Sequence, residues 1–151
     1  MPAKNFRRTY PLPLAQHFDL STVGLGTFIG KPDDEDDFDL YVAAKHLVRS
    51  GCLNHLDTAI NYRCQKAERA LGAVLKMLHS EFGAFTDVQN KPFTVSRDEL
   101  FVTTKHGYVP DDADNGVPAN ALIEQLVDEG LITQEDVAGG IHCIHPRFLE
   151  H

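Results

Sequence analysis

The chain has 151 residues, 42% of them hydrophobic, which is enough for one domain with its own core. Its net charge of −8 speaks against non-specific attraction to nucleic acid or to an anionic membrane, and no apolar run approaches the ~18 residues of a membrane-spanning helix. Three cysteines, Cys52, Cys64 and Cys143, are an odd number that suits a reducing compartment better than a disulfide framework, so the expectation is a soluble, cytoplasmic protein.

Residues 1–20 read as a lead-in, with the makings of a short hairpin. Their basic residues are not followed by a signal-type apolar core, and Pro11 and Pro13 argue against a helical transit peptide. STVGLGTF (21–28) reads as a short buried strand that ends in a Gly-x-Gly turn. A helix is expected from Glu35 to Arg49, with Phe38, Tyr41, Ala44, Leu47 and Val48 on one face and Gly51 as its stop signal. The five acids Asp33 to Asp37 fall where the helix dipole favours negative charge, and solvated residues at a helix start explain them better than a metal or partner site.

CLNHLDTA (52–59) is the second strand candidate. Ala67, Leu71, Val74, Leu75, Leu78 and Phe82 then recur at helical spacing, the clearest amphipathic pattern in the chain. Residues 83–99 are polar and turn-rich, and a loop is expected there. LFVTTK (100–105) is a third, β-branched strand, followed by the loop GYVPDDADNG. Pro118 suits the first turn of a helix that carries Leu122, Ile123, Leu126 and Val127 and closes at Gly130. Thr133 to Asp136 resembles a capping signal for one more short turn. Strand and helix thus alternate three times, which predicts an α/β segment over 21–151 with parallel strands joined by right-handed crossovers.

In such folds the C-terminal strand ends carry the site. Strand one ends near Gly26 and Thr27, strand two at Asp57 with Tyr62 five residues on, and strand three at Lys105. A phenol with a pKa of ~10 is a weak acid catalyst at neutral pH, and an ammonium within a few ångströms favours its ionised form. A drop of two or three units asks roughly 3–4 kcal/mol of a site. A carboxylate beside the ammonium keeps it charged and aims it, so the three groups together can protonate a developing alkoxide. On spacing alone, a capping Asp57, a packing Tyr62 and a solvated Lys105 account for the three residues more readily.

VGLGT, LDTAINY, AERALG and ELFVTTK, in that order, resemble the N-terminal part of the aldo-keto reductases. The likeness runs from Val23 to Lys105 and more loosely to His151. The spacing RCQK between Tyr62 and AERALG is closest to the potassium-channel β-subunit and bacterial-type branches. The resemblance implies a (β/α)8 TIM barrel, of which this chain supplies about three of eight units, and an NADPH-dependent reduction of small aldehydes and ketones. It implies Tyr62 as general acid, Lys105 as the group that tunes it, and Asp57 as the holder of Lys105 beside the nicotinamide. Gly26 and Thr27 would line the cofactor floor.

The family also uses a His at the end of its fourth strand. HCIHPRFLEH (142–151) instead resembles the segment before the third barrel helix, so none of His142, His145 and His151 is assigned that role. A complete barrel takes ~250 residues, so the isolated chain is expected to bind NADPH poorly and to turn over little. Its unpaired outer strand would suit a partner chain that completes the barrel, and a non-catalytic binding or regulatory fragment is the competing reading. Two lesser alternatives are a metal module of His142, Cys143, His145 and His151, whose spacing matches no common zinc pattern, and a redox-sensitive Cys64.

Overall fold

In the computed structural model, residues 9–12, 15–80, 85–86, 92–93 and 95–150 are described. The expected hairpin is present in the lead-in: β1 (Thr9–Leu12) pairs antiparallel with β2 (Ala15–Ser21), with a register slip between Pro11 and Leu12. The strand expected over 21–28 is shorter, because the chain turns after Ser21. There Ser21 Oγ donates to the Val23 carbonyl at 2.7 Å, and only Gly24–Gly26 (β3) joins the next sheet. α1 (Asp34–Arg49) opens on Asp33, whose side chain accepts from Asp36 N at 3.0 Å, and stops at Gly51 with φ 67°, a left-handed step that favours glycine. Ala44 and Val48 are fully buried with Tyr41 and Leu47 packed beside them. Phe38 is a correction to the expected face: it follows the first turn, outside that cluster, and is exposed.

β4 (His55–Asp57) is the centre of a parallel three-stranded sheet in the order β3, β4, β7, where β7 is Phe101–Thr103. Each of these strands is three residues long, shorter than the spans 52–59 and 100–105 suggested. Between β4 and β7 runs α2 (Lys66–Ser80), which buries Ala67, Ala70, Leu71, Val74 and Leu78. Phe82 of the expected face lies outside the described residues. The expected loop 83–99 contains a two-residue antiparallel ladder, β5 (Phe85–Thr86) with β6 (Pro92–Phe93), and a 3-10 turn over Arg97–Glu99 closed by a Ser96–Glu99 capping box.

α1 and α2 pack on one another, and their buried faces meet Leu53, Leu56, Val95 and Leu100 in one core. Asn54, buried at the base of the central strand, ties the hairpin to this sheet. Its amide donates to the carbonyls of Asp19 (2.7 Å) and Glu99 (3.0 Å), and its Oδ1 accepts from Ser21 N at 2.7 Å.

A second core gathers C-terminal to the sheet. Pro118 stands just outside α3 (Ala119–Asp128), as its N-cap, and Gly130 closes the helix with φ 69°. Ile123 and Leu126 bury fully and Leu122 and Val127 partly, as the helical spacing predicts. The capping box of Thr133 and Asp136 closes a 3-10 turn over Gln134–Asp136. The final stretch forms a small antiparallel pair, β8 (Val137–Ala138) with β9 (His142–Cys143), and a single-turn helix, α4 (Pro146–Leu149). Among the described residues no helix is long and apolar enough to cross a membrane.

Candidate functional site

The parallel register sets Gly26, Asp57 and Thr103 in one row across the C-terminal edge of the sheet. Lys105 lies two residues beyond that row, and its Nζ reaches back to donate to Asp57 Oδ2 at 2.8 Å and to the Thr58 carbonyl at 2.8 Å. The chain after β4 turns sharply, with Tyr62 N donating to the Ala59 carbonyl at 3.0 Å. This brings the Tyr62 ring under the ammonium, with Lys105 Nζ 4.7 Å from the ring centroid. Asp57, Tyr62 and Lys105 therefore converge on one mouth. Phe28, from the loop after β3, closes one side of it by an edge-to-face contact with Tyr62 at 5.1 Å.

The electrostatics follow from these contacts. The Lys105 ammonium holds the Asp57 carboxyl below the usual carboxylate range, helped by the Thr103 hydroxyl. In return the Asp57 carboxylate, with a smaller contribution from the Tyr62 hydroxyl, holds the Lys105 ammonium above its ordinary value. Both ions stay charged at neutral pH. Their side chains remain 36% and 49% exposed, so the pair serves geometry more than stability.

Three features of the site go beyond the roles expected from the sequence. Thr103 Oγ1 donates to Asp57 Oδ1 at 2.6 Å, and His55 Nε2 lies 3.2 Å from the same hydroxyl. With the hydroxyl proton directed at Asp57, the ring nitrogen is the donor, so His55, Thr103 and Asp57 form one polarised chain. Thr27 is buried, and its hydroxyl donates to the Asp57 backbone carbonyl at 3.1 Å while its N–H donates to the same oxygen at 3.0 Å. Thr27 thereby fastens β3 to β4 at the row of Asp57.

The third feature is Arg63. Residues Arg63, Cys64 and Gln65 take positive φ values of 51°, 53° and 72° in succession, a left-handed turn that costs L-residues roughly 1–2 kcal/mol each. Arg63 anchors it. Its buried guanidinium donates from Nε to the Lys31 carbonyl at 2.8 Å, from Nη2 to the Asp33 carbonyl at 3.3 Å, and to the Asp37 carboxylate. Lys66 Nζ bridges Asp34 at 2.9 Å, Asp37 at 2.9 Å and Asp114 at 2.8 Å, and Arg69 holds Asp112 at 2.8 Å. Of the acidic run at the start of α1, Asp37 thus meets Arg63 and Lys66 and the exposed Asp34 meets Lys66, while Asp33 caps the helix. The acids at 34 and 37 and the bases at 63 and 66 are plain in the sequence, but only the fold opposes them.

The two lesser readings find other uses for their residues. His142 stacks edge-on against Tyr108 at 4.9 Å, Cys143 is buried in the second core, and His145 Nδ1 accepts from Arg147 N at the start of α4. His151 lies outside the described residues. Among the described residues no group of three or more potential ligands is placed to hold a metal ion. Desolvation, and secondarily the negative charge of Asp111, pushes the Cys64 thiol above its usual range, which works against a reactive thiolate. Alkylation at pH 8 is therefore expected to modify exposed Cys52 first, with Cys64 and Cys143 slower by about tenfold or more. Peptide mass mapping over time checks this, and early modification of Cys64 would restore the redox reading.

For a nicotinamide cofactor, the open approach lies at Gly26, where a side chain would meet no atom within 4 Å. Gly26 stands in the row of Asp57 at the strand ends, so this open space lies on the same edge as the carboxylate. Comparison of the chain with protein-family models, with curated proteins and with solved structures gives no match.

Proposed function

We propose that this chain carries the proton-donating part of an NADPH-dependent reductase of aldehydes and ketones, of the aldo-keto reductase type. In this reading the three-stranded parallel sheet is the first part of a (β/α)8 barrel. The observation that supports it is the meeting of Lys105 with both Asp57 (2.8 Å) and the Tyr62 ring (4.7 Å) at the ends of neighbouring parallel strands. When bound, NADPH supplies the hydride. Tyr62 donates its hydroxyl proton to the carbonyl oxygen as negative charge develops there, completing the alcohol. Lys105 stabilises the negative charge left on the phenol oxygen, and Asp57 keeps Lys105 charged and aimed. Gly26 leaves room for the ring, and Thr27 holds the strand that carries it.

A second reading is favoured by one feature, the position of β7 as an outer strand of its sheet among the described residues. In it the chain is a non-catalytic fragment that pairs with another chain through that strand. Intact mass and peptide mapping of the endogenous protein, followed by an NADPH-oxidation assay, separate the two. The 151-residue chain by itself is expected to show little turnover with aromatic aldehydes. If the endogenous protein continues into further β/α units, that protein should reduce them, and Tyr62→Phe should lower its kcat by about 10²–10⁴-fold. Full activity in Tyr62→Phe would remove the reductase reading.

A further inference from the structure

Beside the trio, on the side of the second core, lies a cavity of about 250 Å³. Two of its lining residues adjoin the site along the backbone, since Ile60 N donates to the Lys105 carbonyl at 3.2 Å and His106 follows Lys105 directly. Its walls are apolar: Ile60, Pro110, Leu122, Leu126 and Phe148. Two polar side chains, Gln65 and His106, complete the lining. The Gln65 amide is partly engaged, with its oxygen accepting from Arg69 at 3.1 Å and its nitrogen 3.4 Å from the Asp111 carbonyl.

His106 differs. Its Nδ1 accepts from Gly107 N at 2.9 Å, so the neutral ring carries its proton on Nε2. The ring is steadied edge-on against Phe148 at 4.7 Å, and among the described residues Nε2 has no protein acceptor. The lining thus offers a set of apolar surfaces and an N–H donor from the exposed His106. The volume lies just under the ~300 Å³ at which pockets for drug-sized ligands begin, which limits the occupant to a molecule of about one ring.

We infer that this cavity is a binding site for a neutral, one-ring-sized apolar ligand bearing one hydrogen-bond acceptor, an aryl ketone being the simplest example. Charged ligands are excluded by the desolvation that the apolar walls impose. Resting on the reductase reading, the same cavity takes the apolar body of the carbonyl substrate. The segment Pro110 to Phe148 would then set substrate size, while the strand ends perform the chemistry.

The test is a cofactor-free ¹⁹F NMR titration of the full 151-residue chain with 4-fluoroacetophenone, and with 4-fluorotoluene as the ligand without an acceptor. Leu122→Trp fills the cavity from a half-buried position, and His106→Phe keeps the ring contact while removing the donor. Binding of both ligands is expected, weakened about tenfold or more by Leu122→Trp. His106→Phe should weaken the ketone about fivefold and leave the toluene unchanged. No binding up to the solubility limit, or equal affinities in the wild type and both variants, overturns the site. Binding with the expected variant pattern, in a protein that shows no reductase activity in any form, supports the site and counts against the reductase reading alone.

Discussion

Leu56→Ala is expected to lower the unfolding free energy by about 3–5 kcal/mol, which for a chain of this size can remove most of its stability. Leu56 is the middle residue of the central strand, is fully buried, and packs in the core that α1 and α2 share. Truncation deletes three buried carbons and leaves a cavity between two helices and a sheet of only three short strands, with little around it to collapse inward. The effect reaches the site, because Asp57 follows Leu56 and its register against Gly26 and Thr103 depends on the same ladder. Urea unfolding followed by circular dichroism measures it. Leu149→Ala is the control, since Leu149 is 45% exposed and its loss should change stability by no more than about 0.5 kcal/mol. A Leu56→Ala midpoint equal to that of the control would show that this core does not hold the sheet.

The second large effect is expected at Arg63. Its side chain is 1% exposed and is held by two backbone carbonyls and Asp37, so Arg63→Met removes three hydrogen bonds at once. Asp37 keeps Lys66 at 2.9 Å, which limits the loss to about 2–4 kcal/mol. Arg63→Lys should recover less than half of it, because one ammonium cannot reproduce the fork of Nε and Nη2. The consequence for the site is more specific than the energy. The guanidinium joins the turn after Tyr62 to Lys31 and Asp33, on the loop whose Phe28 lies against Tyr62. Nuclear Overhauser contacts between the Phe28 and Tyr62 rings should weaken in Arg63→Met even under conditions where the chain is still folded. Intact ring contacts together with near-native stability would assign Arg63 no part in positioning Tyr62.

Much of the architecture follows from periodicity. The stripe Ala67, Leu71, Val74 and Leu78 repeats at helical spacing and is the buried face of α2, and Gly51 and Gly130 stop their helices because glycine alone takes positive φ freely. Alternation of helices with short β-branched runs implied parallel strands, and β3, β4 and β7 are parallel. The strands are shorter than their apolar runs, because Thr22 and Val23 form a bend before β3 and Thr104 is past the pairing of β7. Phe38 matched the helical stripe but lies where the packed neighbours have ended. The two-residue ladders and α4 carry too few residues for any periodic signal.

For the candidate site, residue identity and order by themselves determined that an aspartate, a tyrosine and a lysine stand at or just beyond the ends of strands two and three, because a polar residue that ends an apolar run marks the strand's C-terminus. Only the tertiary structure decided that the three meet. Contact between Asp57 and Lys105 spans 48 residues and depends on register, crossover and the sharp turn after Ala59. The same holds for Thr103 and His55, which read as ordinary strand residues until pairing puts them beside Asp57, and for Arg63, whose left-handed backbone has no glycine to announce it. Local sequence encodes which side chains a strand end offers. Which of them share a mouth is a property of long-range packing, where burial opposes groups that are distant along the chain.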